Sequence, residues 1–229
     1  TESVSSANAH CLERELEWLS SVIDTRLRSH FANESPVALL SMEHIPDLSE
    51  SSGTYADFIR KHDLSPQNRI ILLLSLVPYI RPALLDVFLI RNTVSDKRFT
   101  EFGGATDTAS AFIPTGETAL FVLAGTNLEE RFRSHALLGQ EGILLKEKII
   151  RLETANRTEN PLNGRLLLER DYLDYFITGE QISPEFGDDF PARLIRTPLE
   201  WEDVVLQTNV RESVEEISEW VEHGPAVLA

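Results

Sequence analysis

Arg69–Asn92, RIILLLSLVPYIRPALLDVFLIRN, is the stretch around which the rest of the chain must be arranged. From Ile70 to Val77 seven of eight residues are aliphatic and only Ser75 is polar. A helix that is apolar on nearly every side has to be enclosed by protein or lipid. Pro78 and Pro82 interrupt the run, which predicts two helices at an angle rather than one rod. The second, Ala83–Ile90, puts Leu84, Leu85, Phe88 and Leu89 on one stripe with Asp86 and Arg91 facing out. The length suits a membrane span, but Arg81 and Asp86 sit mid-segment at a cost of roughly 2.5–3.5 kcal/mol each. The expectation is therefore a buried central helix pair of a soluble, cytoplasmic domain.

Outward from that pair, the clearest periodic signal is at the N-terminal end. Between Ala7 and Phe31 the residues Leu12, Leu16, Leu19, Val22, Ile23 and Leu27 recur at intervals of three and four, which predicts a long amphipathic helix. Such a helix either lies across its own domain or pairs with a partner. Asn33–Gly53 reads as a connector, Tyr55–His62 as a short helix, and Ser65-Pro66 as the cap and first position of the central pair. Beyond Asn92, Gly103-Gly104 and many small polar residues predict a hairpin or irregular loop. Thr115 opens a helix over Gly116–Ala124, and Glu129–Leu138 reads as another. Gly142–Glu153 and Leu166–Leu168 predict a β-hairpin with a long tip, and Asp171 starts a helix that stops at Gly179. Gln181–Thr197 reads as an extended loop, followed by an acidic helix over Val210–His223.

The net charge of −16, from 37 acids against 21 bases, opposes general affinity for nucleic acid or anionic membranes. Cys11 is the only cysteine, so an intrachain disulfide and a thiolate zinc cluster are both excluded. The first twenty residues lack the basic-then-apolar order of a secretory leader. The six histidines, His10, His30, His44, His62, His135 and His223, share no ligand spacing, so no metal site is expected.

Pro114–Leu120, PTGETAL, has the outline of a phosphate loop, but Glu117 stands where lysine is required and Ala111 where glycine is. Thr115 reads instead as a helix cap, with Glu117 favoured by the positive helix end. Val122–Asn127 reads as a helix C-cap at Gly125 and a new N-cap near Asn127. Glu129-Glu130 and Asp188-Asp189 are adjacent acids of the kind that could serve catalysis, yet in so acidic a chain they read as solvated surface. No constellation calls for chemistry, and the expectation is a domain that is not itself an enzyme.

Thr197–Leu206, TPLEWEDVVL, followed by a helix ending EISEWVEHG at Gly224, resembles the entry segment of an AAA+ ATPase module. In that family an aromatic-x-Asp-aliphatic strand lies close to the adenine, and Trp201, Asp203 and Val204 occupy the matching positions; the Gly-Gly that often follows is absent. Glu13–Phe31, Arg69–Asn92, Phe112–Gly125 and Asp171–Pro191 are similar to the N-terminal, winged-helix-containing region of AAA+ ATPases encoded with phage-tail-like contractile injection systems.

The resemblance implies an α+β, mostly helical fold with winged-helix-like units, β-hairpin wings and a long N-terminal helix. It divides the chain into a helix (1–32), a connector (33–53), a winged-helix-like domain (54–196, read as two degenerate copies, 54–112 and 113–180) and a linker with first helix (197–229). No cofactor is expected in this chain; ATP and Mg²⁺ would belong to the missing module, with which alone a hexamer would form. The implied partners are protein: its own AAA+ module and injection-system components. Trp201 and Trp220 read equally as docking anchors or as ordinary packing. The alternative is a winged-helix nucleic-acid binder using Glu129–Leu138, which carries Arg131, Arg133 and His135.

Overall fold

The computed structural model describes residues 3–32, 45–106, 111–154, 160–179, 210–211 and 213–214. The chain separates into two units, Thr1–Ser183 and Pro184–Ala229. Of the second, Val210, Arg211, Ser213 and Val214 are described, and all four are helical.

In the first unit α1 runs from Val4 to Ala32, about 44 Å at 1.5 Å per residue. It packs on α2 (Thr54–Lys61), α3 (Pro66–Ile80), α4 (Gly116–Ala124) and α7 (Arg170–Thr178). Of the two fates open to so long a terminal helix, it takes the first and lies across its own domain. Its buried stripe contains the six expected apolar residues, and also Asn8, Glu15, Arg26 and Ser29.

Helix α3 is the core. The Ser65 hydroxyl accepts from the Asn68 amide at 3.3 Å, Pro66 occupies the first turn, and every residue from Ile70 to Val77 is buried. Ser75 is tolerated there because its hydroxyl donates to the Leu72 carbonyl at 2.7 Å. The run is divided into two segments at an angle, as Pro78 and Pro82 predict, but the helix does not end at Pro78 itself. It sits in the last turn, where its missing N–H deprives the helix of only one bond, and the chain stays helical to Ile80. The break comes at Arg81 (φ −152°, ψ 63°), and the next segment leaves at 104°.

That next segment, Pro82–Leu89, is a 3₁₀ helix and not an α-helix. With three residues per turn, Leu85 and Phe88 align and are buried, whereas Leu84 and Leu89 are only half-buried. Asp86 is exposed as expected. Among the described residues no single helix is long and apolar enough to cross a membrane.

Strands β1 (Ala105–Thr106) and β2 (Phe112–Ile113) form a small antiparallel hairpin. Gly104 precedes it at φ +85°, and a Cβ there would lie 2.1 Å from the Phe112 ring. Helix α5 (Leu128–Leu137) follows α4, and the single turn α6 (Ile143–Lys146) follows α5. Then β3 (Ile150–Glu153) pairs antiparallel with β4 (Arg165–Leu168), in the register Ile150↔Leu168 and Leu152↔Leu166.

The sequence reading extended β3 back to Gly142. Instead Ile143–Lys146 coils so that Leu144 is fully buried, and Lys148 at φ +51° reverses the chain before the strand begins. Helix α7 stops at Gly179 in the left-handed region (φ +81°), and a Cβ there would stand 2.5 Å from the Val4 side chain. The fold is thus α+β and mostly helical, with two small antiparallel two-stranded sheets among the described residues.

Candidate functional site

Polar residues in phase with the apolar stripe of α1 build a buried polar cluster. Glu15, fully buried, receives Arg69 through both guanidinium edges (Nε–Oε2 3.2 Å) and the Tyr55 hydroxyl at 3.0 Å. Arg69 also donates to the Pro46 carbonyl at 2.9 Å and lies 5.1 Å from the Trp18 ring centroid. Burial, then the adjacent Glu15 carboxylate, drives the Tyr55 pKa up. The same two causes push the nearby Cys11 thiol up to about 11, so this cysteine is a packed, unreactive thiol at neutral pH. These groups join α1, α2, α3 and the 45–48 segment, and each finds its partner inside the protein.

A second buried cation lies further along α1. Arg26 donates to the carbonyls of Val122 (3.2 Å) and Leu123 (3.1 Å), the unpaired oxygens of the last turn of α4. Burial lowers its pKa to about 10. Gly125 ends α4 at φ +53°, and a Cβ there would lie 2.8 Å from the Arg26 guanidinium. The sequence signal for Arg26 and Glu15 was their position at three- and four-residue spacing within the apolar stripe.

The Pro114–Leu120 segment is a helix start. Thr115 and Thr118 cap one another, the Thr115 hydroxyl accepts from the Gly104 amide at 3.0 Å, and the Thr118 hydroxyl donates to the Phe102 carbonyl at 2.8 Å. Glu117 is ion-paired with Arg131. Hydroxyls and carboxylate already engaged in this way do not fit a nucleotide phosphate. Asn127 caps α5 through the Glu130 amide, as the sequence suggested.

Trp201, Asp203, Val204, Asp188, Asp189 and Trp220 lie outside the described residues, as do His44 and His223. Glu129 and Glu130 both pair with Arg133 on the surface of α5. His30 and His62 each face one carboxylate, Glu101 at 3.3 Å and Glu147 at 3.1 Å. Among the described residues no three of His, Cys, Asp and Glu are placed to hold a metal ion.

Among the exposed large hydrophobic residues, Leu128 and Phe132 fall one turn apart on α5. Leu128 is 65% and Phe132 73% exposed, and Ala136 continues the same line at four-residue spacing. The helix turns its small buried residue, Ser134, and half-buried Leu137 toward α4 and leaves this apolar line outward. Its position is fixed, because Arg131 bonds both Glu117 and the Gly125 carbonyl (3.1 Å). The spacing of Leu128 and Phe132 was legible; that it faces away from the core was not. No protein-family model, curated protein or solved structure matches this chain.

Proposed function

We propose that this chain is the non-catalytic N-terminal docking domain of an AAA+ ATPase of the contractile-injection type, a cytoplasmic protein that recruits substrate or positions the ring. The observation that carries the docking reading is the outward Leu128–Phe132 line on a braced helix. A large aromatic held in solvent by a rigid element suits burial against an apolar helix face of a protein partner. A winged-helix-like arrangement is supported by the order of elements: α2–α3 followed by the β1–β2 hairpin, then α4–α5 followed by β3–β4. In this reading Trp201, Asp203 and Val204 approach adenine only when the AAA+ module is present, and ATP and Mg²⁺ belong to that module.

The nucleic-acid alternative would read a groove with α5. Arg131 is held by Glu117 in a half-buried pair, and Arg133 is flanked on the surface by Glu129 and Glu130, whose carboxylates repel phosphate, which favours protein over nucleic acid as the partner.

The test is a pulldown of injection-system proteins and of the AAA+ module with the chain and with the double variant Leu128→Asp/Phe132→Asp. Capture by the unaltered chain and its loss in the variant are expected, with no ATP turnover by the chain alone. Capture that ignores the double substitution, ATP turnover, or salt-sensitive DNA shift at low ionic strength would overturn the proposal.

A further inference from the structure

A groove of about 440 Å³ runs between α1 and the 3₁₀ segment Pro82–Leu89. Its apolar walls are the edges of the largely buried Ile23 and Leu27 on one side and the half-buried Leu84 and Val87 on the other, and Glu17 and Asp24 stand along its α1 edge. These two acids are seven residues apart, which is about 10 Å along the helix axis. Among the described residues no cation pairs with Glu17. Among the described residues Asp24 pairs with Arg28 alone, and both partners are exposed, so that contact exchanges readily with a competing cation. Ser20 and Ser21, short side chains between the two acids, keep the groove open.

We infer that this groove seats a basic amphipathic helix of a protein partner. An aliphatic side chain would sit between the Ile23–Leu27 and Leu84–Val87 walls, while lysines or arginines seven residues apart meet Glu17 and Asp24. Charge complementarity decides the occupant: an acidic edge on a chain of net charge −16 repels a second copy, an anionic membrane or a nucleic acid, and attracts a cationic helix. The inference deepens the docking reading above and rests on it, naming the chemistry of one partner segment at a surface separate from α5.

The probe is a fluorescein-labelled amphipathic peptide with leucines at three- and four-residue spacing and lysines seven apart, beside the same peptide with glutamates for lysines. Anisotropy is read on the whole chain. Glu17→Lys/Asp24→Lys is expected to weaken the lysine peptide about tenfold, two exposed pairs each contributing about threefold. Ser21→Trp, which fills the groove without touching charge, is expected to weaken it comparably. Glu50→Lys/Glu141→Lys makes the same charge change elsewhere and is expected to alter binding less than about twofold. The glutamate peptide is expected not to bind.

Absence of binding by the lysine peptide, or equal weakening by both double reversals, would overturn the inference, and so would insensitivity to Ser21→Trp. Leu128→Asp/Phe132→Asp serves as the separate arm. If the groove fails while that variant still loses its partner, the docking reading stands; if α5 fails, the peptide result is still readable by itself.

Discussion

Replacing Glu15 by alanine removes the acceptor that neutralises Arg69 and holds the Tyr55 hydroxyl. Arg69 is 7% exposed, so it cannot turn to water without moving α3, and only the Pro46 carbonyl and the Trp18 face remain to it. Leaving one member of a buried pair uncompensated costs about 3–5 kcal/mol. For a domain of this size that corresponds to a fall in Tm of roughly 10 °C. Glu15→Leu/Arg69→Met removes both charges at similar volume but leaves the Pro46 carbonyl and the buried Tyr55 hydroxyl without their partners, so it is expected to cost about 1–3 kcal/mol, less than the single substitution. Urea titration followed by circular dichroism measures both. A single alanine costing less than about 1 kcal/mol, or a double variant no better than the single, would refute the assignment of a closed buried ion pair.

Raising the pH through the range of Cys11 gives a signed expectation. The folded thiol keeps its proton up to about 11 while the unfolded one releases it near 9, so deprotonation favours unfolding. The stability is intact below pH 9 and falls by about 2–3 kcal/mol between 9 and 11, a slope that Cys11→Ala reduces in pH-resolved urea melts. Gly125→Ala places a methyl against Arg26 at positive φ and is expected to cost at least about 1 kcal/mol by thermal melting. Phe121→Ala empties the middle of the Phe88–Phe102–His30 cluster and is expected to cost about 3–5 kcal/mol in the same assay. Leu128→Asp and Phe132→Asp, by contrast, are expected to change stability by less than about 0.5 kcal/mol.

The helices were legible wherever burial or a cap left a local mark. Leu12 to Leu27 announced α1, Ser65-Pro66 announced the start of α3, and Thr115 and Gly179 bounded α4 and α7. The errors came where local pattern and packing disagree. Pro78 and Pro82 announced the bend but not its place, since a proline in a last turn costs little; Ile143 and Leu145 looked like alternating strand residues, but one buried leucine between them sufficed for a helical turn. At the candidate surface the sequence supplied the four-residue spacing of Leu128 and Phe132, which reads the same whether the face is buried or exposed. Only the placement of α4 decides that. The groove beside Pro82–Leu89 was illegible for a related reason, since its walls are 57 to 64 residues apart in the chain and meet only through the bend after Ile80.

The start of α1 and the end of α7 share one corner: Val4 lies against Gly179, so close that the glycine has no room for a side chain. Entry and exit at a common corner make the first unit a cassette. A circular permutant that bridges residues 179 and 4 by a short linker, or an insertion of the unit into a surface loop of an unrelated host, keeps every internal packing contact, and the host need only offer two anchor points a few ångströms apart.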